Sequence, residues 1–282
     1  MSNNTIIVGV TAAPASAHAL DWAAARAALR RQPLELISVV GGAVGTVGES
    51  DVLAGALDAA AAHLSAEQDR IRARHPGLTV STRTDAGNPV TVLTEASAQA
   101  ALLVIGSEHT GASARGAHGF RIAAGAQCPV VVVPDIDLGD RRGVVVGLDG
   151  SELSEHALRF AAAEADRLGE PLIAVSVWTP VPVTTGLGDL AVYPELYLTN
   201  MQSATEEIQA LALAGIAADH PDLEVVRRVE QGFPSQVINE AARAARLVVV
   251  GTHGRGAIAR FLLGSVSHEV LSRVAAVTAI VR

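Results

Sequence analysis

The sequence predicts two tandem α/β domains, each built on a parallel sheet with helices on both faces. Three observations carry this: the chain repeats itself, each copy alternates short β-branched runs with longer helical stripes, and a glycine-rich segment follows an almost purely apolar run in the second copy. At 282 residues there is room for two domains of about 140 each, a size that closes its own core.

The repeat sets the register. Ile6-Ile7-Val8-Gly9 matches Val144-Val145-Val146-Gly147, and His18-Ala19-Leu20 matches His156-Ala157-Leu158, 138 positions apart. Further on the spacing becomes 145, pairing His75-Pro76 with His220-Pro221, Gly87 with Gly232, Pro89 with Pro234, Glu95 with Glu240 and Gly106 with Gly251. This is an internal duplication. In the second copy strands are expected near 143–148, 172–178, 223–230, 247–251 and 276–281. Between the first two, Leu158, Ala161, Ala165 and Leu168 recur every three or four places, one buried helical stripe. Strands separated by such stretches are the pattern of βαβ units. The Gly-, Pro- and Thr-rich stretch 180–194 predicts an irregular loop over the carboxyl edge of the sheet, with 41–50 as its counterpart. A short polar link, Gly139-Asp140-Arg141-Arg142, divides the chain into domains 1–138 and 143–282.

Composition narrows the chemistry. Apolar residues make up 49%, yet no uncharged run approaches the roughly 18 to 20 residues of a membrane span. The N-terminus leads straight into an apolar strand without a basic stretch, so a cytoplasmic location with no membrane partner is expected. All 21 basic residues are arginine. A P-loop and Schiff-base chemistry both need a lysine and are excluded. A net charge of −8 disfavours nucleic acid, whose phosphates need a basic face. The single cysteine, Cys128, rules out an internal disulfide and reads as a small buried residue.

The sharpest motif is Gly251-Thr252-His253-Gly254, nine residues, then Gly264-Ser265-Val266-Ser267. The run Leu247-Val248-Val249-Val250 before it is expected of a central parallel strand, which puts Gly251 at the carboxyl end where such folds hold ligands. After it, Val266, Val270, Leu271 and Val274 form a helical stripe, so Gly264 and Ser265 stand at a helix N-terminus. Free N–H groups and the helix dipole there favour an anion, the dipole by a few tenths to about 1 kcal/mol at exposed sites.

This spacing resembles the G-x2-G-x9-G-[S/T] motif of the ATP-binding branch of the universal stress proteins, and the resemblance covers nearly the whole chain, twice. Val146-Gly147-Leu148-Asp149-Gly150-Ser151 looks like the family's first strand and loop. The resemblance implies two Rossmann-like, adenine nucleotide alpha hydrolase-like domains with strand order 3-2-1-4-5. It further implies ATP as cofactor, with or without Mg²⁺, Asp149 on the nucleoside, Val177 beside the base, Gly251 to Arg255 around ribose and phosphates, and Gly264 to Ser267 on the phosphates. Strands one and four lie side by side in that order, so Asp149 and Gly251 are expected to converge. The first copy departs where it matters: Thr11 stands for Asp149, Glu108 and His109 for His253 and Gly254, and Gly116-Ala117 for Gly264-Ser265, with a shorter loop between. Gly9, Gly106 and Gly116 remain weaker candidates there, since strand ends alone can require a glycine.

Blander readings stand beside these. Asp149 also fits a turn or helix cap before Gly150 and Ser151. His253 can contact phosphate or simply face solvent, as can Arg255 and Arg260, of which Arg255 adjoins the motif. His18 and His156 share one helix position, which suggests packing or capping, and no His or Cys cluster suggests zinc. The sequence therefore offers binding features and no general base. The family resemblance implies a nucleotide-dependent stress-response or dormancy regulator. A slow ATPase or phosphotransferase using the same pocket, and a nucleotide-free scaffold, are the competing readings. The last strands, 130–133 and 277–281, are expected to pair the copies as an internal pseudo-dimer, with a homodimer of the whole chain as a further step.

Overall fold

The computed structural model describes residues 4–41, 49–108, 117–180, 195–254 and 262–282. Of the predicted loops, 42–48 and 181–194 lie outside these, as do His109, Gly116, Arg255 and Arg260. The chain forms two compact units that divide at Asp137 and Leu138.

The first unit runs β1 (Ile6–Gly9), α1 (Pro14–Arg30), β2 (Leu34–Val40), α2 (Glu49–Arg74), β3 (Val80–Ala86), α3 (Pro89–Ser97), β4 (Leu102–Ser107), α4 (Ala117–Gly125) and β5 (Val130–Pro134). The second runs β6 (Val144–Leu148), α5 (Glu152–Leu168), β7 (Leu172–Trp178), α6 (Glu195–Ala214), α7 (Ile216–Asp219), β8 (Val225–Gln231), α8 (Pro234–Ala242), β9 (Leu247–Gly251), α9 (Ser265–Arg273) and β10 (Val277–Val281). In the first unit β1 pairs in parallel with β2 and β4, β2 with β3 and β4 with β5. In the second β6 pairs with β7 and β9, β7 with β8 and β9 with β10. Each sheet thus has the order 3-2-1-4-5, as expected. The five predicted strands of the second copy all form, within two residues at either end.

Burial follows from that order. The central strands are covered on both faces, which is why Val144, Val145 and Val146 and Leu102, Leu103 and Val104 read as continuous apolar runs and are fully buried. The outer strands β3 and β8 are largely exposed and carry charge: Arg83 pairs with Glu35 and Asp85 at 3.2 Å each, and Arg228 with Glu230 at 2.9 Å. Charged side chains on an edge discourage further strand addition. The repeated histidines do one job twice. His18 Nδ1 lies 3.4 Å from Asp135 Oδ1 and His156 Nδ1 lies 2.9 Å from the Arg282 carbonyl, so each fastens the first helix of its unit to the residue beyond the last strand. Cys128 is buried, its thiol 3.3 Å from the Pro129 carbonyl.

Candidate functional site

In the second unit the chain leaves β6 and β9 from neighbouring positions, with Val144 to Val146 registered against Leu247 to Val249. A crevice opens beyond the carboxyl ends of such strands. It is a cleft of about 470 Å³ with Gly147, Leu148 and Asp149 from the end of β6, Val175 from β7, Pro234 and Ile238 from α8, and Val250, Gly251, His253 and Gly254 from the end of β9. Ser154 and the first turn of α9, Gly264 to Ser267, complete the lining.

Two of its glycines come close to the side-chain ends that shape the site. A Cβ at Gly147 would come 2.8 Å from Ile238 Cδ1, so the missing side chain lets Ile238 lie across the end of β6 as part of the floor. A Cβ at Gly254 would overlap Asp149 Oδ2. The loop after β9 therefore passes directly against the carboxylate at the end of β6, the convergence expected of Asp149 and the glycine segment.

Asp149 is exposed and held in place by its own turn. Its Oδ1 accepts from the Ser151 N–H at 2.9 Å and the Ser151 hydroxyl at 2.6 Å, and Ser151 Oγ in turn accepts from the Ser154 N–H at 3.2 Å as the N-cap of α5. The turn role and the cleft position thus belong to different oxygens of one carboxylate. Thr252 has the opposite fate: 2% exposed, it is not among the lining residues and serves through its backbone. Its N–H donates to Val281 at 2.8 Å, and its carbonyl accepts from the Gly264 N–H at 2.8 Å and the Ser267 hydroxyl at 2.9 Å. These bonds tie the start of α9 to the end of β9. Gly264 is the N-cap of α9 in an extended conformation, so the N–H groups of Ser265, Val266 and Ser267 have no carbonyl of their own helix to donate to. His253 Nε2 is buried and has no polar partner among the described residues. The result is a concave site with an apolar floor, a fixed carboxylate on one side and a helix N-terminus on the other.

Val177 is not among the lining residues; Val175, two positions earlier on the same face of β7, is. Arg255 lies outside the described residues. Sequence reasoning missed Ser154, Val175, Pro234, Ile238 and Val250. The repeated pair Pro89 and Pro234 was the available signal, because it starts the helix that carries Leu93 and Ile238 over the two clefts.

The first unit has a counterpart of about 350 Å³ at the ends of β1 and β4, lined by Gly9, Thr11, Gly106 and Glu108 among others. Here Thr11 Oγ1 accepts from the Ala13 N–H at 3.2 Å and the Thr11 N–H donates to Ser16 Oγ at 2.8 Å. Thr11 supplies the turn that Asp149 supplies, without the charge. A Cβ at Gly106 would lie 2.5 Å from the Ala15 carbonyl oxygen, so this glycine is fixed by packing against α1 whatever the cleft holds.

Comparison with known proteins agrees with the architecture. The model of the universal stress protein family matches residues 2–134 and again 141–282. A universal stress protein of Mycobacterium tuberculosis is 34% identical over 288 residues, covering 94% of this chain and 92% of the relative. One from Mycolicibacterium smegmatis is 34% identical over 292 residues, covering 98% and 96%. Among solved structures, a universal stress protein from Archaeoglobus fulgidus superposes with a TM-score of 0.72 at 16% identity, covering 100% of this chain and 99% of that one, a likeness of fold.

Proposed function

The chain belongs to the universal stress protein family, and on that premise we propose that its second half, 143–282, is an ATP-binding module whose occupancy regulates the protein in stress response or dormancy. The observation that carries this reading is the meeting of Asp149 and Gly254 opposite the N-terminus of α9. A nucleotide is an apolar, hydrogen-bonding body joined to a chain of negative charge, and the cleft offers matching parts in that order. Val175, Ile238 and Val250 give the base an apolar bed. Asp149 accepts from the ribose hydroxyls. Gly254, having no side chain, lets the backbone approach the sugar and phosphates closely. Gly264, Ser265, Val266 and Ser267 hold the phosphates by backbone N–H groups and the helix dipole.

Among the described residues no three His, Cys, Asp or Glu side chains converge on a metal position. In this reading Mg²⁺ arrives on the phosphates, and hydrolysis, where it occurs, is slow. The first half, 1–138, is the part that does not take ATP in the same way. A calorimetric titration of the purified chain with ATP tests the reading, repeated with Asp149→Asn, which keeps an acceptor for Ser151 but removes the charge. Saturable binding weakened about tenfold in the variant, near 1.4 kcal/mol, is the expected result. An unchanged affinity removes Asp149 from the site.

A further inference from the structure

We propose that the first half carries a ligand site at the opposite end of its sheet from the cleft, one that takes a small dicarboxylate. This does not rest on the nucleotide reading of the second half. The site is a hollow of about 560 Å³ between the end of α1 and the turn from α2 into β3, at the amino ends of β2 and β3. Its lining holds Arg31, Arg74 and His75 and no acidic residue. In a chain of net charge −8 this corner stands apart, and the repeat shows how it departs from the same corner of the second half.

Where the second half has acids, the first has bases or neutral groups. Arg74 stands for Asp219, Thr79 for Glu224 and Ala28 for Asp166. In the second half His220 Nδ1 lies 3.5 Å from Asp166 Oδ2. With Ala28 in that place, the ring of His75 has no partner among the described residues. Arg31 is the sharpest exchange. It caps the end of α1 at φ 52°, the left-handed conformation that favours glycine, and Gly169 fills the same cap of α5 at φ 62°. An arginine held where glycine is the easier residue is kept for its side chain, and that guanidinium too has no partner among the described residues.

Arg74 is anchored without being used up. Its Nη1 lies 3.2 Å from both oxygens of Asp21, a carboxylate it shares with Arg70 at 2.6 Å. This fixes the guanidinium and leaves Nε and Nη2, an edge that takes a carboxylate side-on, for a ligand. Basic residues in the last turn of a helix commonly answer its dipole, yet the fold does not need them here, since α5 is capped by Gly169 and α7 ends on Asp219. Both α1 and α2 meet the hollow with their carbonyl ends, which disfavour a compact, highly charged phosphate. One planar fork from each of two helix ends suits two separated carboxylates instead. Gln32 takes no part, because its Oε1 accepts from Arg26 and its Nε2 donates to Asn4 Oδ1, at 2.9 Å each. The Thr79 hydroxyl and the His75 ring add further donors.

The experiment uses the full chain. Succinate, butyrate and ribose 5-phosphate are titrated separately at constant ionic strength, followed by calorimetry and by the amide resonances of Leu78 and Thr79. Succinate is expected to shift both amides and to bind at least about tenfold more tightly than butyrate, the scale of one charge-assisted bond. Arg31→Gly, which puts in place the residue that the second half uses, is expected to weaken succinate about tenfold while the chain melts no lower than wild type. Thr79→Glu, which gives the hollow the acid that Glu224 gives the aligned corner, is expected to abolish succinate binding. Butyrate as tight as succinate, ribose 5-phosphate that moves the two amides as far as succinate does, an affinity unchanged in Arg31→Gly, or succinate that moves neither amide overturns the proposal.

Discussion

Two clefts occupy the same place in two copies of one fold, and they differ at the residues that face the space rather than at those that hold the strands together. Gly106 and Gly251 both let the fourth strand of their sheet pass close to the first helix, with a built Cβ 2.5 Å from the Ala15 oxygen in one and 3.2 Å from the Leu153 oxygen in the other. Asp149 and Thr11 both order the turn before that helix. What separates the halves is Asp149 against Thr11, His253 against Glu108 and Ser267 against Gly119. A glycine retained in both copies is therefore evidence of packing, and the cleft's chemistry has to be read from the side chains around it.

The largest expected effect tests the packing half of that statement. Gly106→Ala forces a methyl group into the backbone of α1 and should cost about 3 kcal/mol in the stability of the first unit, whereas Gly251→Ala, with more room, should cost about 1 kcal/mol. Chemical denaturation of the two variants measures both, and equal losses would erase the distinction. Next comes the site itself. Gly254→Ala pushes the Asp149 carboxylate aside and should weaken ATP about 30-fold, near 2 kcal/mol, with unfolding free energy within about 0.5 kcal/mol of wild type because Gly254 is exposed. A loss of stability with unchanged binding would return Gly254 to the packing class.

A smaller effect is expected at Ser151. Removing its hydroxyl in Ser151→Ala frees both the cap of α5 and one bond to Asp149, for a loss of about 1 kcal/mol in stability and a few-fold in ATP affinity. The smallest is a gain. Thr11→Asp with Glu108→His gives the first cleft the charge placement of the second, and weak ATP binding should appear there, limited by Ile37 and Ile105, which stand where the second has Val175 and Val250. No gain at all would show that the walls, not the charges, decide between the clefts.

Much of this was legible in the sequence. Parallel strands buried on both faces must be continuous apolar runs, so Leu247 to Val250 and Val144 to Val146 announced the sheet centre, and the stripe of Val266, Val270, Leu271 and Val274 announced the helix start at Ser265. Strand order led to an expected convergence of Asp149 with Gly251; the residue that meets the carboxylate is Gly254, three positions on. The rest depends on where side chains point. Val175 and Val177 share one face of β7, and spacing cannot say which of the two borders the cleft. Thr252 sits inside the motif, yet its role is carried by its backbone, which leaves no trace in residue type. Ile238 and Pro234 come from a helix distant in sequence, and only the repeat hinted at them.

The most direct test of the central claim is the nucleotide content of the intact chain at saturating ATP. Equilibrium dialysis of wild type and Gly264→Asp, in which the added Cβ lies 3.3 to 3.6 Å from His253, Thr252 and Ser267 and carries a negative charge at the start of α9, counts the sites without assuming where they are. One ATP per chain in wild type and none in the variant is what the account predicts. Two per chain, or one that survives Gly264→Asp, would place ATP in the first cleft and contradict it.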